Sequence, residues 1–430
     1  MRILVISYSY YPANNPRSFR WSAICEYWAQ NGITVDVVCA YAETGLSKSE
    51  RLQGVNVYRS RDISQQVRAT EPTNINAVAS SKPCWQTNIK KLLYVVLKKI
   101  TVLLRWPDFA WLWIPKAHRE AKRLLKSHHY DGIYSVSPAF SSHVVALLLG
   151  RQRKNIPWIS DYGDPFSLSK ESPMNNNWLY SGLNKYIDRL VIRSSKKISV
   201  TTVETAKKYV AQLGALEKWV TVIPPLVKCG YFFPDDRQKS LVSQEGTINV
   251  IFAGTLYAAI RNPNFFLELL TKVRKKLLPR NVEIHFYGSV VDCMHEFESY
   301  KAAINDWIFL HGTVDQSELK HVYERADVLV NIGNVTTYQT PSKVIEYMST
   351  GLPILNITSV ADDSSIPLLQ SYPAAISLYQ GDGVTERLVD KVCAFLEQVQ
   401  QVDIEDVNEI LKQYKPETIA NTYLSLLSYP

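Results

Sequence analysis

A lysine in the first turn of a helix is misplaced unless an anion lies in front of it. The stretch Thr340-Pro341-Ser342-Lys343-Val344-Ile345-Glu346-Tyr347-Met348-Ser349-Thr350-Gly351-Leu352-Pro353 reads as one short helix, with Thr340 as N-cap, Pro341 at the first helical position and Gly351 with Pro353 closing it. Lys343 then stands at the positive end of the dipole, where a carboxylate would be favoured by about 0.3–1 kcal/mol. A phosphate at that terminus removes the conflict, because the cation and the bare N–H groups of Ser342 and Lys343 act on the same anion. Glu346, one turn on, offers a carboxylate to sugar hydroxyls, although alone it also reads as a surface glutamate.

Other groups of the right type lie at strand ends. Gly254-Thr255, Gly288, Gly312 and Gly333 each follow an apolar run of strand length. Singly they are turns; together, at the carboxyl ends of strands, they let a phosphate-bearing ligand approach the backbone. Arg261, between the first of these strands and its helix, has the planar fork that pairs bidentately with such an anion, or is a solvated loop arginine. Upstream, Trp158-Ile159-Ser160-Asp161-Tyr162-Gly163-Asp164-Pro165 sets two carboxylates three apart after a strand over 158–160. Asp161 is a candidate to orient or deprotonate a substrate hydroxyl; Asp164 before proline reads as a turn residue. His143 opens the helix that follows the strand ending at Ser137, which aims it at the same strand ends or makes it a satisfied core histidine. Arg17 and Arg20 stand at another helix start, again suited to an anion.

These residues need strands and helices in alternation to hold them, and the chain supplies that throughout. RILVIS (2–7), a helix from Ser18 to Asn31 with Trp21, Ile24, Cys25 and Trp28 on one face, and ITVDVVC (33–39) make a βαβ unit. GIYSVS (132–137), a helix over 141–150, a helix over 179–195, a strand over 198–202, a helix over 204–213 and VTVI (220–223) continue it. Pro224-Pro225 and the polar run 235–246 form a linker, after which TINVIFAG, VEIHFYG, WIFLHG, DVLVNIG and LPILNI repeat the grammar with helices between. The expected fold is α/β, with two doubly wound Rossmann-like domains facing a central cleft: 1–228, 229–405, and a C-terminal helix within 406–430 (407–427) packing back on the first domain.

With 46% hydrophobic and 20% charged residues the 430-residue chain can bury more than one core. Its six cysteines form no Cys-x-x-Cys pair, which speaks against a zinc site or a disulfide framework, and MRILVISYSY lacks the marks of an export signal. The net charge of +8 is concentrated: residues 88–126 hold ten Lys or Arg against Asp108 and Glu120. Within it, 88–105 reads as an amphipathic helix with Lys91, Lys98 and Arg105 on one stripe. Its internal lysines exclude a membrane span and suit an anionic membrane surface, with Trp85, Trp106, Trp111 and Trp113 at headgroup depth. The alternative is a core-facing helix with a wet lysine face; nucleic acid is disfavoured because no recognised binding motif accompanies the patch.

The blocks ILVISYSYYP with NPRSFRW, PDFAWLWIPKA, YSVSPAFSSH, IPWISDYGDPF, FAGTLYAAIRNP and PSKVIEYMSTGLPIL, in that order, resemble GT-B glycosyltransferases of family 4, the retaining, nucleotide-sugar-dependent group of bacterial surface-polysaccharide pathways. The resemblance implies that Gly254, Thr255, Gly288, Arg261, Pro341, Ser342 and Lys343 hold the donor diphosphate. Glu346, at the second position of the family's Glu-x7-Glu motif, would bind the ribose; His143 and Asp161, with Arg261, would serve the reaction centre and acceptor. No metal or other cofactor is expected beyond the nucleoside diphosphate sugar. The partners implied are that nucleotide sugar, a lipid-linked or glycan acceptor and an anionic membrane surface, placing the protein in the cytoplasm on the inner face of the cell membrane. Two departures stand out: Tyr338 replaces the first glutamate of the motif, and Asn14-Asn15-Pro16 replaces the usual double glycine. A sugar-nucleotide 2-epimerase of the same fold and a non-catalytic GT-B partner protein are the alternatives.

Overall fold

The computed structural model describes residues 1–43, 45–62, 103–169, 173–227, 246–315, 318–336, 342–398 and 400–428. The chain forms two compact units, Met1–Ile223 with Ala420–Pro430, and Pro224–Ile419.

The first unit runs β1 (Arg2–Ser7), α1 (Pro16–Gln30), β2 (Thr34–Ala40), β3 (Ser49–Leu52), β4 (Val55–Ser60), α2 (Ile114–Ser127), β5 (Gly132–Ser137), α3 (Ser141–Leu148), β6 (Trp158–Tyr162), α4 (Asn177–Ser194), β7 (Lys197–Val200), α5 (Val203–Leu213) and β8 (Val220–Val222). Its sheet has the order β3-β4-β2-β1-β5-β6-β7-β8, parallel except for the β3–β4 hairpin. β5 and β6 are buried along their whole length, as expected of parallel strands covered by helices on both faces. Helix α1 begins two residues before the expected Ser18, because Asn15 caps it by accepting from the Ser18 N–H at 3.0 Å and Pro16 takes the first helical position. Asn14-Asn15-Pro16 is therefore a helix start. Trp21, Ile24, Cys25 and Trp28 are fully buried, as their spacing requires.

The second unit runs β9 (Thr247–Ala253), α6 (Asn264–Lys276), β10 (Asn281–Tyr287), β11 (Ile308–Gly312), α7 (Leu319–Tyr323), β12 (Val328–Ile332), α8 (Ser342–Met348), β13 (Ile354–Thr358), α9 (Ser365–Leu369), β14 (Ala375–Tyr379), α10 (Glu386–Gln398) and α11 (Ile404–Leu411). Its sheet, β11-β10-β9-β12-β13-β14, is parallel throughout. The strand order reverses between β9 and β12, and an open parallel sheet has its crevice at that point.

Three features differ from expectation. The β3–β4 hairpin and β14 were not legible in the pattern. The helix expected over 407–427 is two, α11 and α12 (Pro416–Ser428), separated at Lys415, whose ψ of 147° is extended. Pro416 lacks the N–H that a continuing helix needs and is suited to start a new one. The chain re-enters the first unit only at Ala420, within α12, rather than over all of 406–430. There Trp28 Nε1 donates to the Ala420 carbonyl at 3.1 Å and the Tyr134 hydroxyl to that of Tyr423 at 2.6 Å. Gly132 is small because Leu427 fills the space: a Cβ would lie 2.6 Å from its side chain. Of the amphipathic segment 88–105, only Leu103–Arg105 lies within the described residues.

Candidate functional site

The switch point of the second unit is where the predicted anion-binding residues meet. β9 ends at Ala253, pinned by Tyr347 of α8, whose hydroxyl accepts from the Ala253 N–H at 3.0 Å and donates to its carbonyl at 3.2 Å. The chain then passes Gly254, where a Cβ would lie 3.2 Å from the Phe252 ring and 3.5 Å from Arg261 Nη1. Gly288, at the end of β10, has φ +129°, and a Cβ there would come within 2.0 Å of the Gly254 carbonyl oxygen. Only glycine fits, so the ends of β9 and β10 close on each other as backbone. Residues 257–261 form a tight loop in which the Arg261 N–H donates to the Tyr257 carbonyl at 2.7 Å, and the Val335 N–H holds the Ile260 carbonyl at 3.0 Å.

That loop fixes Arg261. Its Nη1 donates to the Thr255 carbonyl at 3.4 Å and its Nη2 to Asn334 Oδ1 at 3.0 Å, so the guanidinium bridges the ends of β9 and β12. Among the described residues it makes no ion pair, and its Nε is buried without a partner. Burial lowers its pKa, while Tyr347, Tyr257 and the Asp363 carboxylate raise it. Asp363 itself is buried and pushed up by that burial; it accepts from the Ser365 N–H and hydroxyl at 2.8 and 2.6 Å. A Cβ on Gly333 would lie 2.5 Å from its Oδ2. A cation held among backbone and amide oxygens, without a carboxylate in contact, keeps its capacity to bind an incoming anion.

Lys343 has a partner of its own. Its Nζ lies 2.8 Å from Glu346 Oε1 and 3.1 Å from the Tyr323 hydroxyl, which donates to the same oxygen at 2.5 Å. The first-turn lysine is therefore compensated along the helix by an i,i+3 ion pair, and no anion is needed to explain it. Glu346 is held by two donors on one oxygen, which fixes its carboxylate. Pro341, Thr340 and Tyr338 lie outside the described residues, and of Ser342 the structure gives its place at the start of α8.

In the first unit the structure changes the reading of both acceptor-side candidates. Asp161 does not follow β6 but lies inside it, paired in register with Val136 and Ser199. Its Oδ1 accepts from Ser199 Oγ at 2.8 Å and the Tyr423 hydroxyl at 2.7 Å; its Oδ2 accepts from Trp21 Nε1 at 2.9 Å and Arg17 Nη1 at 3.2 Å. Burial pushes its pKa up, but the Arg17 and Arg20 charges with the Tyr423 and Trp21 bonds outweigh this and hold it below the usual carboxylate range. With four donors already bound it is a poor proton acceptor; it anchors Arg17, whose guanidinium lies over Gly163 so closely that a Cβ there would be 1.7 Å from Nη2. His143, for which the sequence left a cleft-facing and a core position open, is fully buried. Ser135 Oγ accepts from Trp158 Nε1 at 2.8 Å and shares a hydrogen bond of 2.7 Å with His143 Nδ1, whose direction is set by the ring's tautomer. Burial lowers its pKa to about 3, and Nε2 is buried without a partner. Helix α3, which carries it, is tied to the PDFAW block by Asp108, which accepts from the Ser141 N–H and hydroxyl at 2.9 and 2.6 Å.

Sequence reasoning missed Asn334, Tyr347, Asp363, Tyr323 and Tyr423. Asp363 stands just past a strand end, a signal of the kind already used; Tyr423, 262 positions from Asp161, has none. Among the described residues, no group of three or more His, Cys, Asp or Glu side chains is arranged to hold a metal ion, and no helix is long and apolar enough to cross a membrane.

Residues 247–403 match the family described as glycosyl transferases group 1. No curated protein matches the chain. Among solved structures it is similar to sucrose-phosphate synthase from Thermosynechococcus elongatus, at 14% identity and a TM-score of 0.64 over 99% of this chain and 98% of that one. It is also similar to Anabaena HepE in complex with UDP and glucose (10% identity, TM-score 0.62, 100% and 99% covered). The lipopolysaccharide outer core galactosyltransferase WaaB in its apo form matches at 12% identity, with a TM-score of 0.58 and 100% and 99% covered. Residues 247–403 thus match the glycosyl transferases group 1 family, in a chain whose two α/β units have the GT-B fold.

Proposed function

We propose that the protein transfers a sugar, with retention, from a nucleoside diphosphate sugar to a hydroxyl of a lipid-linked or glycan acceptor in cell-surface polysaccharide synthesis, working in the cytoplasm at the inner face of the membrane. The observation that carries this is Arg261: a half-buried guanidinium with no contacting carboxylate among the described residues, held at the switch point by Thr255 and Asn334. As the bond from the anomeric carbon to the diphosphate breaks, negative charge grows on the leaving oxygen, and a fixed cation in a poorly hydrated place stabilises it. The acceptor oxygen bonds to the anomeric carbon on the same face, and its proton passes to the departing phosphate. Glu346, fixed by Lys343 and Tyr323, would accept from the ribose hydroxyls. Two comparisons support the reading: the glycosyl transferases group 1 match over this unit, and a similarly folded protein in complex with UDP and glucose.

The test is a binding screen of nucleoside diphosphate sugars, followed by mass analysis of products formed with a lipid acceptor extract. A glycosylated lipid with release of nucleoside diphosphate is the expected result. Conversion of the donor without acceptor would overturn transfer in favour of epimerisation.

A further inference from the structure

Helix α4 has an exposed face that the chemistry above does not use. Trp178 is 86% exposed, Tyr186 60%, Leu179 47% and Leu183 43%. At 3.6 residues per turn these four, with Lys185, Arg189 and Arg193, fall within an arc of about 160°. The opposite arc is the packed one, with Asn184, Ile187, Asp188, Val191 and Ile192 buried. Asp188 is the only acid of the helix and is turned inward, accepting from the Tyr162 hydroxyl at 2.9 Å and from Ser167 Oγ at 2.7 Å. The outward face therefore carries aromatic and aliphatic groups from Trp178 to Tyr186, three cations from Lys185 to Arg193 and no acid.

We infer that this face of α4 is a docking surface for an anionic lipid bilayer. The three cations without an acid call for an anionic surface, and an anionic bilayer matches both the apolar and the cationic part of the face. Tryptophan, tyrosine and leucine enter the boundary between headgroups and acyl chains, and lysine and arginine reach the phosphates. A second piece of the described chain adjoins the same helix. Trp106 Nε1 donates to Asn184 Oδ1 at 3.1 Å and Asn175 donates to the Pro107 carbonyl at 2.6 Å, so the exposed Leu103 and Leu104 lie within about 11 Å of chain from α4. The inference deepens the proposed action on a membrane-bound acceptor, but its evidence is the helix itself and does not involve the nucleotide site.

The experiment compares the full chain with the triple variant Trp178→Ser, Leu179→Ser, Tyr186→Ser in sedimentation with vesicles of phosphatidylglycerol and phosphatidylcholine, and with phosphatidylcholine alone. All three side chains are already exposed, so folding and nucleotide affinity are expected to stay unchanged, read by thermal melting and by calorimetry with a nucleoside diphosphate. The expected result is binding of the wild type to the anionic vesicles only, with the partition coefficient lowered about tenfold or more in the variant. Three outcomes overturn the proposal: a wild type that ignores anionic vesicles, a variant that binds as well as wild type, or a variant whose only change is loss of a dimer in analytical ultracentrifugation, which would make the face a contact between copies. None of these would touch the glycosyl-transfer reading, which fails instead if no nucleoside diphosphate binds.

Discussion

Replacing Arg261 with alanine tests the centre of the donor site. Its two terminal nitrogens each hold one neutral oxygen, at 3.4 Å on Thr255 and 3.0 Å on Asn334. Exchanging these for two phosphate oxygens replaces two bonds from a cation to a neutral oxygen by two in which both partners are charged, a gain of about 0.5–2 kcal/mol each. The net difference is about 1–4 kcal/mol in nucleotide affinity, or about 5-fold to 10³-fold. The effect on kcat/KM is larger, because charge on the leaving oxygen is greatest in the transition state; loss of one such donor costs about 10²–10³-fold in rate. Thr255 and Asn334 can be rehydrated, so folding should lose no more than about 1–3 kcal/mol. Calorimetry with the nucleoside diphosphate and steady-state kinetics on the same preparations give the two numbers. Arg261→Lys, which keeps the charge but not the fork, should fall between. If Arg261→Ala binds and turns over within threefold of wild type while remaining folded, the diphosphate lies elsewhere.

Three further outcomes are expected. Glu346→Ala should weaken nucleoside diphosphate binding about tenfold or more by loss of a charged acceptor, and unchanged affinity in calorimetry would remove Glu346 from the ribose. Asp161→Asn should destabilise the first unit by about 3–5 kcal/mol, because Arg17 and Arg20 then lack their buried counter-charge; an unshifted urea midpoint would refute this. His143, with a pKa lowered to about 3 in the fold, contributes stability that is fully present above about pH 6.5 and is lost as pH falls below it, at up to about 1.4 kcal/mol per pH unit. Asp188, raised by burial to about 6, acts in the opposite sense, losing its contribution as pH rises through that value. The clean reading is therefore the difference between wild type and His143→Gln, whose amide can donate to or accept from Ser135. That difference should slope between pH 6.5 and 4, and a flat one would mean that His143 is not buried as a neutral ring.

The alternation of apolar strands with amphipathic helices was enough to give two parallel α/β sheets, because strands covered on both faces must be apolar along their length, and RILVIS, GIYSVS and TINVIFA are. Gly254, Gly288 and Arg261 were legible for a related reason: they stand between a strand and its helix, where the chain must turn and where no side-chain periodicity masks an unusual residue. What the sequence left open were choices among partners distant along the chain. Lys343 was read as waiting for an anion, yet it is matched by Glu346 and by Tyr323, from another helix. Asp161 looked like a base after a strand, but register puts it inside β6, where Tyr423 reaches it from the last helix. His143 could have stood at a rim or in the core, and the depth of α3 decided for the core. Residue types and local spacing determine which elements form and where turns expose functional groups. Whether a charged group is spent on structure or kept for a ligand depends on which donors and acceptors the folded chain brings within about 3 Å, and only tertiary packing sets that distance.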